Sequence, residues 1–482
     1  MRPHALVTAA LVASACANGG PSTDAVHADT SAASSPSAST HDWTRFGWNA
    51  ARTSVSTDPT GIDSANVGTM KRQQVKLPGT VDASAIYLHG VSVKGATHDV
   101  LFVTTSYGNT VAVDAHTGAI LWTFTPPNAG AFTGSYQVTT STPVADPDRQ
   151  YVYAAAPDGF VRKLAVADGS AAWATQITRL PGREKIASPL NVDRGRVIAV
   201  TGGYIGDEPP YQGHVAVLDA ASGTLLHVWN SLCSDRTGLL DPSTCGASDA
   251  AIWGRAGAVV DPATGNLYVA TGNAPWDGKT NWGDAIVELD PLATTMLGNY
   301  TPANTETLNA TDQDLGSTSP VLLGGTLVAQ GGKDGRIRLI DWASMAGTAP
   351  HRGGELSLVG TPSGNAIFTA QAVAHLDGAA WLFAADFGAT AAYKLAGSRL
   401  EQVWKNGNAG TSPVLAGGLL FVYDPGGGLR VYQPTTGTQI AKLDAGSGHW
   451  NSPIVVDGII ALPEGGYRDH AASGVLDIYR LP

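Results

Sequence analysis

The sequence predicts an all-β fold assembled from repeated units. The chain has 482 residues with 58 Gly and 28 Pro, and only 14% of its side chains are charged, a composition that is poor in helix-surface residues and rich in turn residues. One phrase recurs along the chain: an apolar run, an Asp, a Thr or Ser next to Gly, and then a Trp. Several other apolar runs open with proline, which removes no ladder hydrogen bond at the start of a strand.

The clearest copy of the phrase spans residues 111–122, with the sequence VAVDAHTGAILW. Its alternating apolar residues predict a strand, Thr117-Gly118 supplies a turn, and the next strand ends in Trp122, which fills the gap between neighbouring sheets. With the weaker copies there are eight units, spaced by about 40 to 60 residues, close to the interval of propeller blades. The other copies begin at Leu164, Val217, Val287, Leu339, Tyr393, Val431 and Leu476.

Thr-Pro or Ser-Pro pairs mark where further strands begin. An irregular multi-sheet β protein is the alternative fold, but eight similar units without a long helical stretch favour a closed ring. The pairs are Thr142-Pro143, Ser188-Pro189, Ser319-Pro320, Ser412-Pro413 and Ser452-Pro453.

Residues 1–16 predict a signal peptide, because Arg2 precedes an apolar run that is too short to span a bilayer. Residues 13–16, Ala-Ser-Ala-Cys, resemble a lipobox, which makes Cys16 a candidate for lipidation; ordinary secretory cleavage is an equal alternative. Residues 17–41 are rich in Ser, Ala and Thr and predict a disordered tether, which leaves 42–482 as the folded domain. We therefore expect an exported protein of the periplasm or cell envelope that touches a membrane only through an N-terminal lipid anchor.

The two remaining cysteines, Cys233 and Cys245, lie in one loop with Gly and Pro. In an exported protein such a pair predicts a local disulfide, and the spacing offers no third or fourth zinc ligand. The sequence has no Cys-x-x-Cys-His motif, so we expect no haem c. The net charge of −11 argues against nucleic acid as a partner, since affinity for the phosphate backbone rests on clustered Lys and Arg.

The opening residues 42–53 and the pattern Ala112-x-Asp114-x-x-Thr117-Gly118-x-x-x-Trp122 resemble the PQQ (pyrroloquinoline quinone) repeat proteins, and the likeness extends over residues 42–482. The resemblance implies an eight-bladed β-propeller of the quinoprotein alcohol dehydrogenase type, in which N- and C-terminal strands share one blade. Both quinone enzymes and noncatalytic lipoproteins carry these repeats, so the fold alone does not settle the function.

In quinoprotein alcohol dehydrogenases the quinone lies on a Trp, oxygen ligands hold Ca²⁺, a cation polarises a carbonyl and an Asp acts as the base. The resemblance implies one candidate for each role. They are Trp253 for stacking, Glu208 and Asn273 for the metal and the cofactor, Lys333 for the cation, Asp312 for the base and a further metal ligand, and Asp314 as a neighbouring metal ligand.

Two departures from the family stand in the sequence: the adjacent Cys pair that caps the quinone in many members is missing, and residues 206–211, Gly-Asp-Glu-Pro-Pro-Tyr, resemble a divergent subgroup. Gln212 also stands where the family often has Arg. Each candidate also has a structural interpretation, as a turn residue or a blade-packing Trp. Two functions therefore stay open. One is a PQQ- and Ca²⁺-dependent dehydrogenase that oxidises an alcohol, sugar or polymer hydroxyl and passes electrons to an external acceptor; the other is a noncatalytic envelope scaffold that binds protein or glycan.

Overall fold

The computed structural model describes residues 41–466 and 474–482; the predicted signal peptide, Cys16 and the tether up to residue 40 lie outside this part. The described strands form eight four-stranded antiparallel sheets and one two-stranded ribbon. These sheets are the blades of an eight-bladed β-propeller, which confirms the predicted fold. Within the same residues, no helix has the length and apolar character needed to cross a membrane.

The chain enters the ring at β1 (Lys71–Leu77) and then builds the blades in order, each of blades 1 to 7 running from its innermost strand outward. Blade 1 contains β2 (Ile86–Val93), β3 (Ala96–Thr104), β4 (Thr110–Asp114) and β5 (Ile120–Phe124), and blade 2 contains β6 (Val144–Ala145), β7 (Tyr151–Ala155), β8 (Phe160–Ala165) and β9 (Ala171–Gln176). The ribbon pairs β10 (Glu184–Lys185) with β13 (Gly202–Gly203), and blade 3 contains β11 (Asn191–Asp193), β12 (Arg196–Val200), β14 (His214–Asp219) and β15 (Leu225–Asn230). Blade 4 contains β16 (Val259–Val260), β17 (Leu267–Ala270), β18 (Ile286–Leu289) and β19 (Met296–Tyr300).

The remaining blades follow the same plan. Blade 5 contains β20 (Val321–Gly324), β21 (Leu327–Gly331), β22 (Arg336–Asp341) and β23 (Ser357–Gly360), and blade 6 contains β24 (Ala372–Leu376), β25 (Ala379–Ala385), β26 (Thr390–Ala396) and β27 (Arg399–Asn406). Blade 7 contains β28 (Val414–Ala416), β29 (Leu419–Tyr423), β30 (Leu429–Tyr432) and β31 (Gln439–Leu443), and blade 8 contains β32 (Ile454–Val456), β33 (Ile459–Glu464) and β34 (Gly474–Arg480). The helical elements of the described residues are α1 (Thr305–Ala310) and 3-10 helices at Val67–Thr69, Ala129–Ala131, Pro242–Thr244, Leu315–Ser317 and Trp342–Met345.

The ring closes by sharing blade 8 between the two ends of the chain. Strand β1 pairs antiparallel with β34, from Lys71 opposite Arg480 to Leu77 opposite Gly474, and becomes the outermost strand of that blade. The terminal strands therefore share one blade, as the resemblance implied. The largest apolar cluster packs β1 with blades 7, 8 and 1, so the closing joint is also buried.

The recurring phrase forms the third and fourth strands of a blade, and its Trp docks onto the following blade. The Trp122 indole N–H donates to the Val166 carbonyl over 2.9 Å. A Cβ at Gly169 would lie 2.6 Å from the Trp122 ring, so the turn needs glycine there both for contact and for its φ of +77°. Trp173 lies on Gly223 and Trp404 on Gly437 in the same way.

Residues 43–60 run around the channel along the inner strands. The innermost strand of a blade is a sheet edge, and its free N–H groups need partners. The segment supplies them, since its carbonyls accept from the inner strands of blades 1, 2, 4, 6 and 7 and from the first turn of blade 8. The donor and acceptor pairs are Tyr87 to Trp43, Ala145 to Thr44, Val260 to Ala50, Val373 to Thr53, Leu415 to Ser54 and Gly458 to Thr60.

Candidate functional site

A cavity of about 430 Å³ lies at the mouth of the central channel. Its walls come from the segments that directly precede the innermost strands, including Asp82 before blade 1, Thr140 before blade 2, Trp253 before blade 4, Phe368 before blade 6 and Trp450 before blade 8. Because blades from all around the ring contribute to one wall, the cavity sits on the axis. Pockets of this size are typical of small-molecule or cofactor sites.

Flat aromatic rings cover much of this wall. Trp253 and Trp450 lie with ring centroids 5.8 Å apart and planes at 22°. Phe368 lies 6.0 Å from Trp253 and 5.9 Å from Phe387. Faces of this kind favour a planar ligand, since stacked rings gain dispersion and quadrupole interactions beyond simple burial.

A charged network stands beside the Trp253 ring. The Lys333 Nζ lies 5.5 Å from the ring centroid, 2.6 Å from Asp314 Oδ2 and 2.8 Å from Asp312 Oδ1. Asp314 Oδ1 accepts from the backbone N–H of Asn273 over 2.6 Å. Burial alone would lower the pKa of Lys333, but the charges and hydrogen bonds of Asp314 and Asp312 outweigh it and raise that pKa. Lys333 is therefore a permanent cation at neutral pH.

The structure brings together four of the six predicted cavity residues. Trp253, Asn273, Asp314 and Lys333 line the wall. Asp312 lies at the rim, where its side chain is 68% exposed and holds Lys333 from the solvent side.

Glu208 does not join them. Its side chain is 70% exposed, pairs with Arg183, and stands outside the residues that line the cavity. The preceding residue, Asp207, lines the wall instead, from a backbone with φ of +46°. Glu208, which the resemblance offered as a metal ligand, therefore does not reach the cavity, because the turn at Asp207 directs the next side chain to the surface.

Asp207 lies close to other charged groups, with its side chain partly open to solvent. The Tyr211 hydroxyl donates to its Oδ1 over 3.1 Å. Burial raises the pKa of Asp207, and the negative charge of Asp314 adds to that rise. A carboxylate in this position gains from a nearby cation, whether a metal ion or Lys333.

A second charged group on the wall escaped the sequence analysis. His449 Nδ1 lies 2.8 Å from Asp82 Oδ2, and the His449 ring stacks on Trp450 with centroids 4.4 Å apart. Burial would raise the pKa of Asp82, but the charge and hydrogen bond of His449 outweigh it and lower that pKa. The two residues stand at opposite ends of the sequence, so no local pattern could have paired them.

Lys185 and Arg255 add positive charge on this side. Lys185 lines the cavity with its Nζ 5.7 Å from the Trp450 ring, and burial lowers its pKa to about 8. Arg255 lies beneath the wall, 1% exposed, and donates to the carbonyls of Trp450 over 3.2 Å and of Thr140 over 2.7 Å. Lys185 and Lys333 thus place cations at two points of a cavity that the carboxylates of Asp82, Asp207 and Asp314 also line.

Cys233 and Cys245 are joined by a disulfide in the loop that follows β15. Gln212, which stands where the resembling family often has Arg, is fully buried, and its Oε1 accepts from the backbone N–H of Leu232 over 3.1 Å. Its Nε2 lies 3.5 Å from the Cys245 sulfur. Gln212 therefore ties the disulfide loop to the segment that leads into β14, and does not reach the cavity.

Parts of this chain resemble known proteins in sequence. The profile of a family described as outer membrane protein assembly factor BamB matches residues 69–229. A polyvinylalcohol dehydrogenase from a Pseudomonas species is 25% identical over 259 residues, which is 51% of this chain and 38% of that protein. The match thus spans well under half the length of this curated relative.

Solved structures share the architecture over nearly the whole chain. A quinohemoprotein alcohol dehydrogenase from Comamonas testosteroni superposes with a TM-score of 0.68 at 18% identity, covering 92% of this chain and 81% of that one. A europium-containing methanol dehydrogenase gives 0.66 at 15% identity, covering 92% and 98%. BamB from Moraxella catarrhalis gives 0.53 at 14% identity, covering 85% and 97%.

At these identities the solved structures establish the fold and leave the chemistry to the site. The docked tryptophans and the shared closing blade indicate the same kind of repeat fold as the family match over residues 69–229. The chain is an eight-bladed β-propeller that is similar in fold to the quinoprotein alcohol dehydrogenases, and its residues 69–229 match a PQQ-repeat family model.

Proposed function

We propose that this protein is an exported dehydrogenase that binds pyrroloquinoline quinone in the axial cavity and oxidises a hydroxyl group of an alcohol, sugar or polymer. One observation carries the proposal: Trp253, Asn273, Asp314 and Lys333, chosen from separate stretches of sequence, line a single cavity on the axis. The likeness to a polyvinylalcohol dehydrogenase and to alcohol dehydrogenases of the quinohemoprotein class supports it.

The cavity residues fit a flat tricyclic acid. Trp253 offers an aromatic face, and Lys333 stands 5.5 Å from the centre of that face. Lys185 provides a second cation near Trp450, so carboxylate groups of the ligand find positive charge at both ends. When bound, the quinone supplies the electrophilic carbonyl that accepts hydride from the substrate carbon.

The oxygen ligands that would hold Ca²⁺ differ from the set derived from the sequence. We assign Asp207 in place of Glu208, together with Asn273 and Asp314, because these three side chains line the cavity. Carboxylate and amide oxygens are the ligands that Ca²⁺ prefers. The partial desolvation of Asp207 and the negative charge of nearby Asp314 raise the pKa of Asp207, and a cation there would offset both effects.

Asp312 takes the base role in this proposal. Its carboxylate stands at the rim, oriented by the Lys333 Nζ at 2.8 Å, on the side from which a substrate hydroxyl arrives. The exposed rim lets the proton pass to water after each turnover. In this proposal the electrons leave to a separate acceptor.

Binding and turnover test this proposal directly. Purified protein reconstituted with PQQ and Ca²⁺ should bind the quinone at micromolar concentration, with quenching of Trp fluorescence, and reduce a dye with alcohols, aldoses or polyvinyl alcohol. Lys333→Ala should weaken quinone binding at least tenfold, since it removes the cation beside the stacking face. Asp312→Asn should abolish turnover while the quinone stays bound.

Lys394→Ala is the matched control, because its Nζ also lies over a Trp ring, 5.6 Å from Trp381, but outside the cavity lining. It should bind quinone like the unmodified protein. If the unmodified protein binds no quinone at micromolar concentration, the enzymatic proposal fails.

The match of residues 69–229 to the BamB profile supports a second candidate, a noncatalytic envelope protein that binds protein or glycan through the propeller. In that case quinone binding is absent, and substitutions in the cavity leave the function of the protein unchanged.

A further inference from the structure

A second cluster of titratable side chains lies far from the cavity, on the surface where blade 8 meets blade 1. His89 belongs to β2 and Asp99 to β3, both in blade 1, whereas Asp457 stands in the turn between β32 and β33 of blade 8. The His89 Nδ1 lies 3.1 Å from Asp99 Oδ1 and 3.0 Å from Asp457 Oδ2. One imidazole nitrogen thus faces two carboxylates from different blades.

Two more histidines flank the same carboxylates. His116 Nε2 lies 2.6 Å from Asp99 Oδ2, and His41 Nδ1 lies 3.2 Å from Asp457 Oδ1. We call these five residues the seam cluster: His41, His89, Asp99, His116 and Asp457.

Groups of the backbone and of blade 1 fix the carboxylates of the seam cluster. The Gly90 N–H donates to Asp99 Oδ1 over 2.7 Å, and the Tyr87 hydroxyl donates to Asp457 Oδ2 over 3.0 Å. Metal-binding carboxylates are commonly oriented by such outer hydrogen bonds. The carboxylate oxygens are therefore held in place before any ligand arrives.

An ordinary His–Asp pair of this protein looks different. In blade 1, His98 Nδ1 lies 2.7 Å from Asp114 Oδ2, and the pair is one imidazole to one carboxylate. A single nitrogen carries at most one proton, so in the seam cluster His89 cannot donate fully to both Asp99 and Asp457. A divalent cation bound beside His89 would attract the carboxylates of Asp99 and Asp457 at once.

The distances also fit a metal. One ligand atom each from His89, Asp99 and Asp457 lies within 4.8 Å of the other two. Zn²⁺ binds histidine nitrogen and carboxylate oxygen at about 2.0 to 2.2 Å, which sets tetrahedral ligand atoms roughly 3.4 Å apart. Imidazole ligands favour Zn²⁺, Co²⁺ and Ni²⁺ over Ca²⁺ or Mg²⁺.

We propose that His89, Asp99 and Asp457 bind a divalent transition-metal ion such as Zn²⁺, with water or a flanking imidazole completing a tetrahedral shell. The ion would connect blade 8, which the two ends of the chain share, to blade 1, and so form a joint between the last blade and the first. Its role is to lock that joint, because an ion held by both blades stabilises only the closed propeller.

The test uses the purified full-domain protein, free of affinity tags and stripped with a chelator. Titration with Zn²⁺ should show one site per chain by calorimetry and metal analysis, and Co²⁺ should give the visible absorption bands of a site with nitrogen and oxygen ligands. Zn²⁺ should also raise the thermal midpoint by about 2 °C or more at saturating concentration. His89→Ala and Asp457→Asn should each weaken Zn²⁺ binding at least tenfold and remove that rise.

His98→Ala is the matched control, since it removes a histidine of the same blade that faces a single carboxylate. It should bind Zn²⁺ and gain thermal stability like the unmodified protein. All three variants are also compared in chelator, so that a loss of folding is seen separately from a loss of metal. Failure of the unmodified protein to bind Zn²⁺ stoichiometrically, or unchanged binding in His89→Ala, would overturn the proposal, and neither result depends on the quinone test.

Discussion

The inner strands of the blades have different surroundings at two levels of the central channel. Deeper in the ring, residues 43–60 satisfy the free strand edges with their own carbonyls, and Arg52, 2% exposed, donates to the carbonyls of Phe46 over 2.5 Å and Leu190 over 2.8 Å. At the mouth, about 430 Å³ of space remains between aromatic rings and paired charges. At the deep level the chain itself supplies partners for the inner strand edges, although Arg52 Nε and Trp43 Nε1 have none among the described residues, whereas the mouth keeps an open cavity.

The largest effect should come from the deep level. Arg52→Ala removes a buried donor and leaves the carbonyls of Phe46 and Leu190 without it, at a cost of about 2 to 4 kcal/mol in the free energy of unfolding. Thermal unfolding by calorimetry measures the loss. Arg399→Ala, at an exposed position of β27, is the control and should change stability little. A stable Arg52→Ala protein would show that residues 43–60 do not anchor the ring.

The mouth should respond in the opposite way, with loss of binding and little loss of stability. Asp314→Asn removes one of the two carboxylates that hold Lys333 and an oxygen ligand of the proposed metal. We expect Ca²⁺-dependent quinone affinity to fall about tenfold to a hundredfold, with a thermal midpoint close to that of the unmodified protein. Fluorescence titration and calorimetry give the two values. A large drop in stability with unchanged binding would erase the distinction between the two levels.

The sequence could predict those features of the fold and the cavity that local patterns encode. The phrase around Trp122 encodes a strand, a turn and a docking side chain within twelve residues, so the blades and their order followed from it. Trp253 and Lys333 were found because each lies in a recognisable stretch.

What the sequence could not predict depends on contacts that no local pattern records. The circuit of residues 43–60 is made by backbone hydrogen bonds of an irregular segment, which leave no side-chain signature. That Asp207 and not Glu208 lines the cavity depends on the φ of a single turn residue. The pairing of Asp82 with His449, and of His89 with Asp457, exists only because the ring closes and brings the two ends of the chain together.

The smallest expected effect concerns pH at the mouth. Burial lowers the pKa of Lys185 to about 8, so in the folded protein this side chain loses its charge as pH rises through about 8, whereas in the unfolded chain it stays charged to about pH 10.4. Affinity for an anionic quinone should therefore fall a few-fold between pH 7 and 9. Stability should change in the opposite direction, since the unfolded chain binds more protons between about pH 8 and 10.4 and the free energy of unfolding rises with pH there.

Lys185→Met isolates this contribution, because it keeps the aliphatic stem beside Trp450 and removes the charge. Its quinone affinity at pH 7 should match that of the unmodified protein at pH 9, and its dependence on pH over that interval should disappear. Lys394→Met, over the Trp381 ring outside the cavity, should keep the full dependence. If Lys185→Met still loses quinone affinity between pH 7 and 9, another group at the mouth causes the pH dependence. Lys185 is then not the cation that holds the ligand.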